Sequence, residues 1–478
     1  MNDRKGFGSN FGFLMAAVGS AVGLGNIWGF PNKMGANGGF PFLILYLALA
    51  LCCGVIIMLG ELALGRKTGH GAVGAYQSIS KRFKWLGWLG IAAAALIFSF
   101  YSALGGYCLR YVVVNFGNLI GAEFGTNGVG GADVFQGLLS QPDVSIAFAL
   151  AFMLITMLVV MSGVGGGIER VCSVGMPALF FILIICIIRS CTLPGAVDGL
   201  KYMFVPGWAV ANGVIDKEPN FFGVLSAAGG QMFFSLSLGA GVMITYGSYL
   251  DKKENLQKNA LLIIIMDTLV ALMAGLCVIP GRFALDPTGS LGGPKLLFVT
   301  MQNVFSRMGG FGPIFGILFY LLVVFAAVSS SISLLEVIVA HFVDKARNEG
   351  KGDMRKKYTL IAAAAVGVGC ILVCADRLGD ASFTPWKLLN LPAESIRTWN
   401  DCWLDFWDML SEGIMMPLGA LLMSLMFGWE VGPDVVKEEC EASGHAMGSY
   451  GFFKICIKYI TPLCMILILY GQIKEFFF

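Results

Sequence analysis

Apolar positions fall along this chain in long blocks rather than in short alternating patterns. Runs of about 20 apolar residues recur throughout, each long enough to cross roughly 30 Å of hydrocarbon as a helix. About eleven spans can be placed, with limits near 8–34, 39–65, 85–118, 144–163, 168–190, 221–249, 258–281, 311–343, 357–376, 400–428 and 449–476. The period-2 alternation of a membrane β-barrel is missing, so the expected fold class is an all-α polytopic membrane protein. The polar lead Met1 to Ser9 runs into the first block without a small-residue cleavage site, which reads as a first span and not a removed signal peptide.

Composition agrees with lipid as the solvent. Of 478 residues, 57% are hydrophobic and 13% are charged, against about 25% charged in soluble domains. About 20 of the 32 basic residues fall in connections on one side, among them Arg66, Lys67, Lys81, Arg82, Lys252, Lys253 and the run 345–357. The positive-inside bias then puts the N-terminus in the cytoplasm and, with an odd number of spans, the C-terminus outside. The net charge of +2 and the lack of a basic stripe give no sign of nucleic acid. Thirteen cysteines lie mostly inside apolar runs and read as small buried hydrophobes. Three scattered histidines have no metal-ligand spacing. No nucleophile–base constellation suggests an enzyme. The long outside connections at about 191–220, 282–310 and 377–399 invite a packing or functional role. Within the second, the apolar segment 293–299 reads either as a cap dipping onto the protein or as an ordinary surface helix.

Two spans are poor continuous helices. The first contains Gly19, Gly23, Gly25, Gly29 and Pro31 in close succession, and each helical Gly costs about 1 kcal/mol. The sixth contains Ser235, Ser237, Gly239 and Gly241. Unwound backbone in lipid is tolerated only where it lines a cavity or is buried in protein. The interrupted spans stand first and sixth, at corresponding places in two five-span halves, 8–190 and 221–428, with 449–476 as an additional span. That arrangement predicts an inverted-repeat transporter with its site at the midplane. Half-helix N-termini there offer N–H groups to a carboxylate, and unwound carbonyls offer oxygen to a cation.

At these residues the chain resembles the neurotransmitter:sodium symporter family. The run Gly19-Ser20-Ala21-Val22-Gly23-Leu24-Gly25-Asn26-Ile27-Trp28 is similar to the family's first-span signature, and Gln231 to Tyr249 to its sixth-span signature. Asn37-Gly38-Gly39, Glu61 and the serine run of span 8 extend the likeness over the whole chain. The resemblance implies the 5+5 inverted-repeat fold of the bacterial leucine transporter branch and sodium-coupled uptake of amino acids by alternating access. It implies two Na+ sites and no organic cofactor. The first would use the Ala21 carbonyl, Asn26, Ser235 and Asp267, completed by the substrate carboxylate. The second would use the Gly19, Val22 and Ala326 carbonyls with the Ser329 and Ser330 hydroxyls. Such serines can instead bond back to their own helix.

For substrate, the resemblance implies Tyr101 at the carboxylate, with Ala21, Gly23, Gly25, Ile97, Phe234, Ser235, Ser237, Ala240, Ser330 and Leu334 around it. Gly23 stands where amine-carrying relatives have an aspartate, which favours a substrate bringing its own carboxylate. Ala240 replaces a bulky side chain and favours a hydrophobic or aromatic amino acid. Asp267 is an intramembrane carboxylate and so a functional-site candidate in its own right. Chloride-dependent relatives carry asparagine there and a hydroxyl residue where this chain has Ala271, so Asp267 is expected to supply the negative charge and make chloride unnecessary. Tyr46 and Gln231, which face chloride in those relatives, are nevertheless present. Glu61 is expected to accept from backbone freed at a break; Glu336 is either structural or coupled to protonation.

The resemblance also implies gates: Arg4 with Asp344 on the inside, and Tyr101 over Phe234 as an aromatic lid on the outside. The family's outer arginine is here Gly29, although its aspartate partner, Asp408, is present. Lys33 is a partial substitute that lacks the bidentate fork. The expected setting is a bacterial inner membrane, as monomer or homodimer. The competing readings are a proton-coupled carrier of the same fold and an amino-acid sensor that does not transport.

Overall fold

The computed structural model describes residues 6–126, 128–288, 293–390 and 400–477, and no strand occurs among them. Among the described residues, nine helices are long and apolar enough to cross a membrane, and a tenth is made by the pair Asn10–Ala21 and Gly25–Ala36, bent by 44°. The remaining expected span, 221–249, is split into Phe221–Leu236 and Val242–Gly247. Each piece alone is too short to cross roughly 30 Å.

Several helices outrun their apolar runs. The third extends over Leu86–Ile120 and the eighth over Gly312–Asn348. Backbone bonding propagates a helix past the hydrocarbon edge once its apolar middle is fixed. These two long helices pack along each other and form one side of the core. Spans 2, 10 and 11 each carry a π-helical turn, at Ala50–Gly54, Met409–Met415 with Met426–Glu430, and Cys456–Ile460 respectively.

The segment left open between cap and surface helix packs inward. Leu296, Leu297 and Phe298 are buried. The Phe298 ring stacks on Phe135 at 5.4 Å and leans on Tyr111 at 5.2 Å. Tyr320 Oη donates to the Leu297 carbonyl at 2.9 Å. Aromatic burial of this size draws the connection onto the adjoining ends of spans 3 and 8. At the opposite end, Arg66 donates to the Glu439 carboxylate at 2.7 Å and to the Glu254 carbonyl at 2.6 Å. One guanidinium thereby ties span 2 to the connections after spans 6 and 10.

Candidate functional site

The break in span 1 begins at Val22, whose extended backbone (φ −77°, ψ 96°) ends the helix capped by Ser9. Side chains from elsewhere take up the freed groups. Gly23 N–H donates to Asn26 Oδ1 at 3.1 Å, and Leu24 N–H to Tyr101 Oη at 2.7 Å. The Gly25 carbonyl accepts from Gln231 Nε2 at 2.6 Å. In span 6, Ser237 (φ 53°), Gly239 (φ 81°) and Gly241 (φ 74°) turn left-handed. The Gly239 N–H donates to buried Glu61 Oε1 at 2.7 Å, as expected for that carboxylate. Ser237 Oγ bridges the breaks by donating to the Ser20 carbonyl at 3.1 Å.

Between the breaks lies a small, tightly closed cavity. Its walls include Ala21, Gly23, Gly25, Ile97, Tyr101, Phe234, Ser237, Ala240, Ser330 and Leu334. The Tyr101 and Phe234 rings sit 6.4 Å apart across it. Gly23 is there for want of room: a Cβ would stand 2.2 Å from Ser330 Oγ and 2.4 Å from Tyr101 Oη. Ser20 and Met416 also line the cavity, and neither is singled out by the sequence. Met416 belongs to span 10, where the run Met415-Met416-Pro417 carries no polar signal.

Two polar clusters flank this space. In one, Asp267 is fully buried and collects three side-chain donors. Asn26 Nδ2 reaches Oδ1 at 2.7 Å, Ser235 Oγ reaches both oxygens at 2.9 Å, and Tyr46 Oη reaches Oδ2 at 3.2 Å. In the other, Ser330 Oγ faces the Gly19 and Ser20 carbonyls at 3.3 and 3.0 Å. Ser329 Oγ faces those of Ala326 at 3.0 Å and Val22 at 3.5 Å. The serine run therefore bonds both to its own helix and across to span 1. The all-oxygen surroundings of the serine cluster suit a hard cation.

The ends of the pathway hold further pairs. Lys33 Nζ pairs with Glu412 of span 10, one turn beyond Asp408, so the lysine meets a carboxylate the sequence reading did not name. A Cβ at Gly29 would lie 2.9 Å from Gln231 Oε1, so a side chain there would require that glutamine to shift. At the other end, Asp344 accepts from Gly71 N–H at 3.1 Å; Arg4 lies outside the described residues. Glu336 is held by Arg355 at 2.6 and 3.0 Å and by Tyr249 Oη at 2.5 Å. This two-pronged pairing favours the structural of its two readings. Arg355 had counted only as part of a basic run.

Residues 4–127 and 132–384 match the sodium:neurotransmitter symporter family. An uncharacterized sodium-dependent transporter of Bacillus subtilis is 34% identical over 472 residues, covering 96% of each chain. Another, from Haemophilus influenzae, is 30% identical over 97% of each. The crystal structure of MhsT in complex with L-phenylalanine superposes with a TM-score of 0.83 at 33% identity, over 98% of this chain and 100% of that one. These relatives are transporters and not enzymes. The chain belongs to the sodium:neurotransmitter symporter family, as a sodium-dependent multi-pass membrane transporter.

Proposed function

We propose that the protein imports hydrophobic or aromatic amino acids together with sodium, by alternating access and without chloride. The observation that carries this reading is the small cavity between the two breaks. Tyr101 and the span 1 backbone offer polar groups on one side, and Ile97, Phe234, Ala240, Leu334 and Met416 offer apolar surface. An amino acid presents that same division: a carboxylate and amine at one end, a side chain at the other. Gly23 leaves no place for a protein carboxylate, so the substrate supplies its own. The L-phenylalanine bound by MhsT is in keeping with this choice.

The Asp267 cluster supports one Na+ site with Ala21, Asn26 and Ser235. The serine cluster supports another with Gly19, Val22, Ala326, Ser329 and Ser330. Three donors already converge on Asp267, including Tyr46, which faces chloride in chloride-dependent relatives. A fixed carboxylate in that role makes an exchangeable anion unnecessary. Around this core we place two inverted five-span repeats, 8–190 and 221–428, with 449–476 outside them, in a bacterial inner membrane with the N-terminus inside. Lys33 and Glu412 act as the outer latch, and Asp344 belongs to the inner gate.

Uptake of labelled phenylalanine and leucine into proteoliposomes tests the reading. A sodium gradient is expected to drive uptake, and replacing chloride by gluconate to leave the rate unchanged. A strict chloride requirement would remove the role given to Asp267. Uptake driven by a proton gradient alone would favour the proton-coupled carrier. The latch predicts that Lys33→Ala speeds substrate release severalfold, as loss of a partly buried ion pair removes about 1–2 kcal/mol from the closed state; an unchanged release rate rules it out.

A further inference from the structure

The hairpin of spans 10 and 11 carries a basic and aromatic surface that the transport site does not use. Its centre is a meeting of two π-helical turns, Met426–Glu430 and Cys456–Ile460. Gly428 allows the approach, since a Cβ there would lie 3.3 Å from the Ile457 carbonyl oxygen and from Lys458 Cα. Trp429 Nε1 donates to the Lys458 carbonyl at 3.3 Å, and the Lys458 ammonium sits 5.5 Å from the centre of the same indole ring. Tyr459 meets that ring edge-on at 5.7 Å. Nearer the connection, the Lys437 and Lys454 ammoniums lie 5.1 and 5.9 Å from the centre of the Tyr450 ring.

Among the described residues, Lys437, Lys454 and Lys458 make no ion pair. Of the neighbouring acids, Glu438 and Glu439 pair with Lys67 and Arg66, while Glu430, Asp434 and Glu441 accept from the neutral Ser80, Tyr450 and Met447 N–H and not from these lysines. Lys454 and Lys458 are four residues apart and share one face of span 11. Continuing along that helix, Leu463, Ile466 and Tyr470 are exposed apolar or aromatic positions, and Trp429 is 61% exposed. A pair of cations about one helical turn apart, aromatic rings beside them and apolar surface beyond matches a phospholipid in three parts: headgroup phosphate, interface and acyl chain.

We infer that the span 10–11 hairpin is a binding surface for anionic phospholipid, with Lys454 and Lys458 on the headgroup phosphate, Lys437 beside them and Trp429 at the ester level. The π turns matter because each re-aims a residue that a regular helix would point elsewhere: one carries the exposed Trp429, and the other brings the Lys458 ammonium to its indole. Arg66 fixes the neighbouring connection to the inner ends of spans 2 and 6, so an occupied surface also braces the face through which substrate leaves.

The test uses the full-length protein in detergent micelles, titrated with dibrominated phosphatidylglycerol or dibrominated phosphatidylcholine. Bromine quenches tryptophan on contact, and the part of the quenching lost in Trp429→Phe reports this site. Half-quenching at a clearly lower mole fraction of phosphatidylglycerol than of phosphatidylcholine is expected. In Lys454→Gln/Lys458→Gln, that preference is expected to fall by about thirtyfold, from the attraction of two lysines to an anionic surface. Equal quenching by the two lipids in the unaltered protein overturns the proposal, and so does a preference that survives in the double variant. Glycerol phosphate at millimolar concentration distinguishes a headgroup from free phosphate: the proposal requires that it fail to displace the brominated lipid. The comparison of two lipids on the unaltered protein decides the question even where the double variant does not fold.

Discussion

The breaks in spans 1 and 6 are made by opposite means. In span 1 no residue turns left-handed; the helix ends at an extended Val22, and Asn26, Tyr101, Gln231 and Ser330 bond the backbone groups set free. In span 6 the backbone itself is contorted, with three left-handed residues within five positions, and a buried carboxylate receives one of its N–H groups. The polarity differs accordingly. Span 1 turns several carbonyl oxygens toward hydroxyls, and a carbonyl has a second lone pair for a cation. Span 6 turns an N–H toward an anion. One break is thus a lender of acceptors and the other a fixed support.

The sharpest way to break this contrast is Gly23→Ala. If span 1 depends on close approach, the added methyl displaces Tyr101 or Ser330. A cost of about 3 kcal/mol, or about a hundredfold in substrate affinity, is expected in a binding titration. Binding within a few fold of the unaltered protein would show that span 1 adjusts freely. Next comes Glu61→Ala, which leaves the Gly239 N–H buried without its acceptor and should cost about 2–3 kcal/mol in unfolding free energy. Thermal unfolding measures it; a midpoint that does not move would mean that span 6 needs no support. The smallest effect belongs to Ser237→Ala. It keeps the left-handed residue but removes the bond to Ser20, so a loss of about 1 kcal/mol is expected, with substrate selectivity preserved. A larger loss would place the two breaks under one shared constraint.

How much of this was legible beforehand follows the range of each interaction. The bend in span 1 was visible, because glycines and Pro31 weaken a helix where they stand. The walls of the cavity were legible through the family likeness, and ten of the positions so named do line it. Lys33 was suspected, yet its partner was not. Glu412 lies 379 residues away in sequence, and nothing local separates it from Asp408 one turn earlier. Met416 was invisible for a related reason: a methionine in an apolar run looks the same whether it faces lipid or substrate.

Apolar run length, the places where helices weaken and the side on which lysines gather are local quantities, and the sequence alone determined them. With them came the helical membrane fold and the identity of the two special spans. Tertiary structure decided which side chain completes each interrupted backbone group, that Ser237 and not only glycine takes a left-handed turn, and which acid Lys33 meets. Those outcomes depend on how spans hundreds of residues apart are set against one another. Competing partners differ there by a helical turn of about 5.4 Å, and only the packed structure distinguishes them.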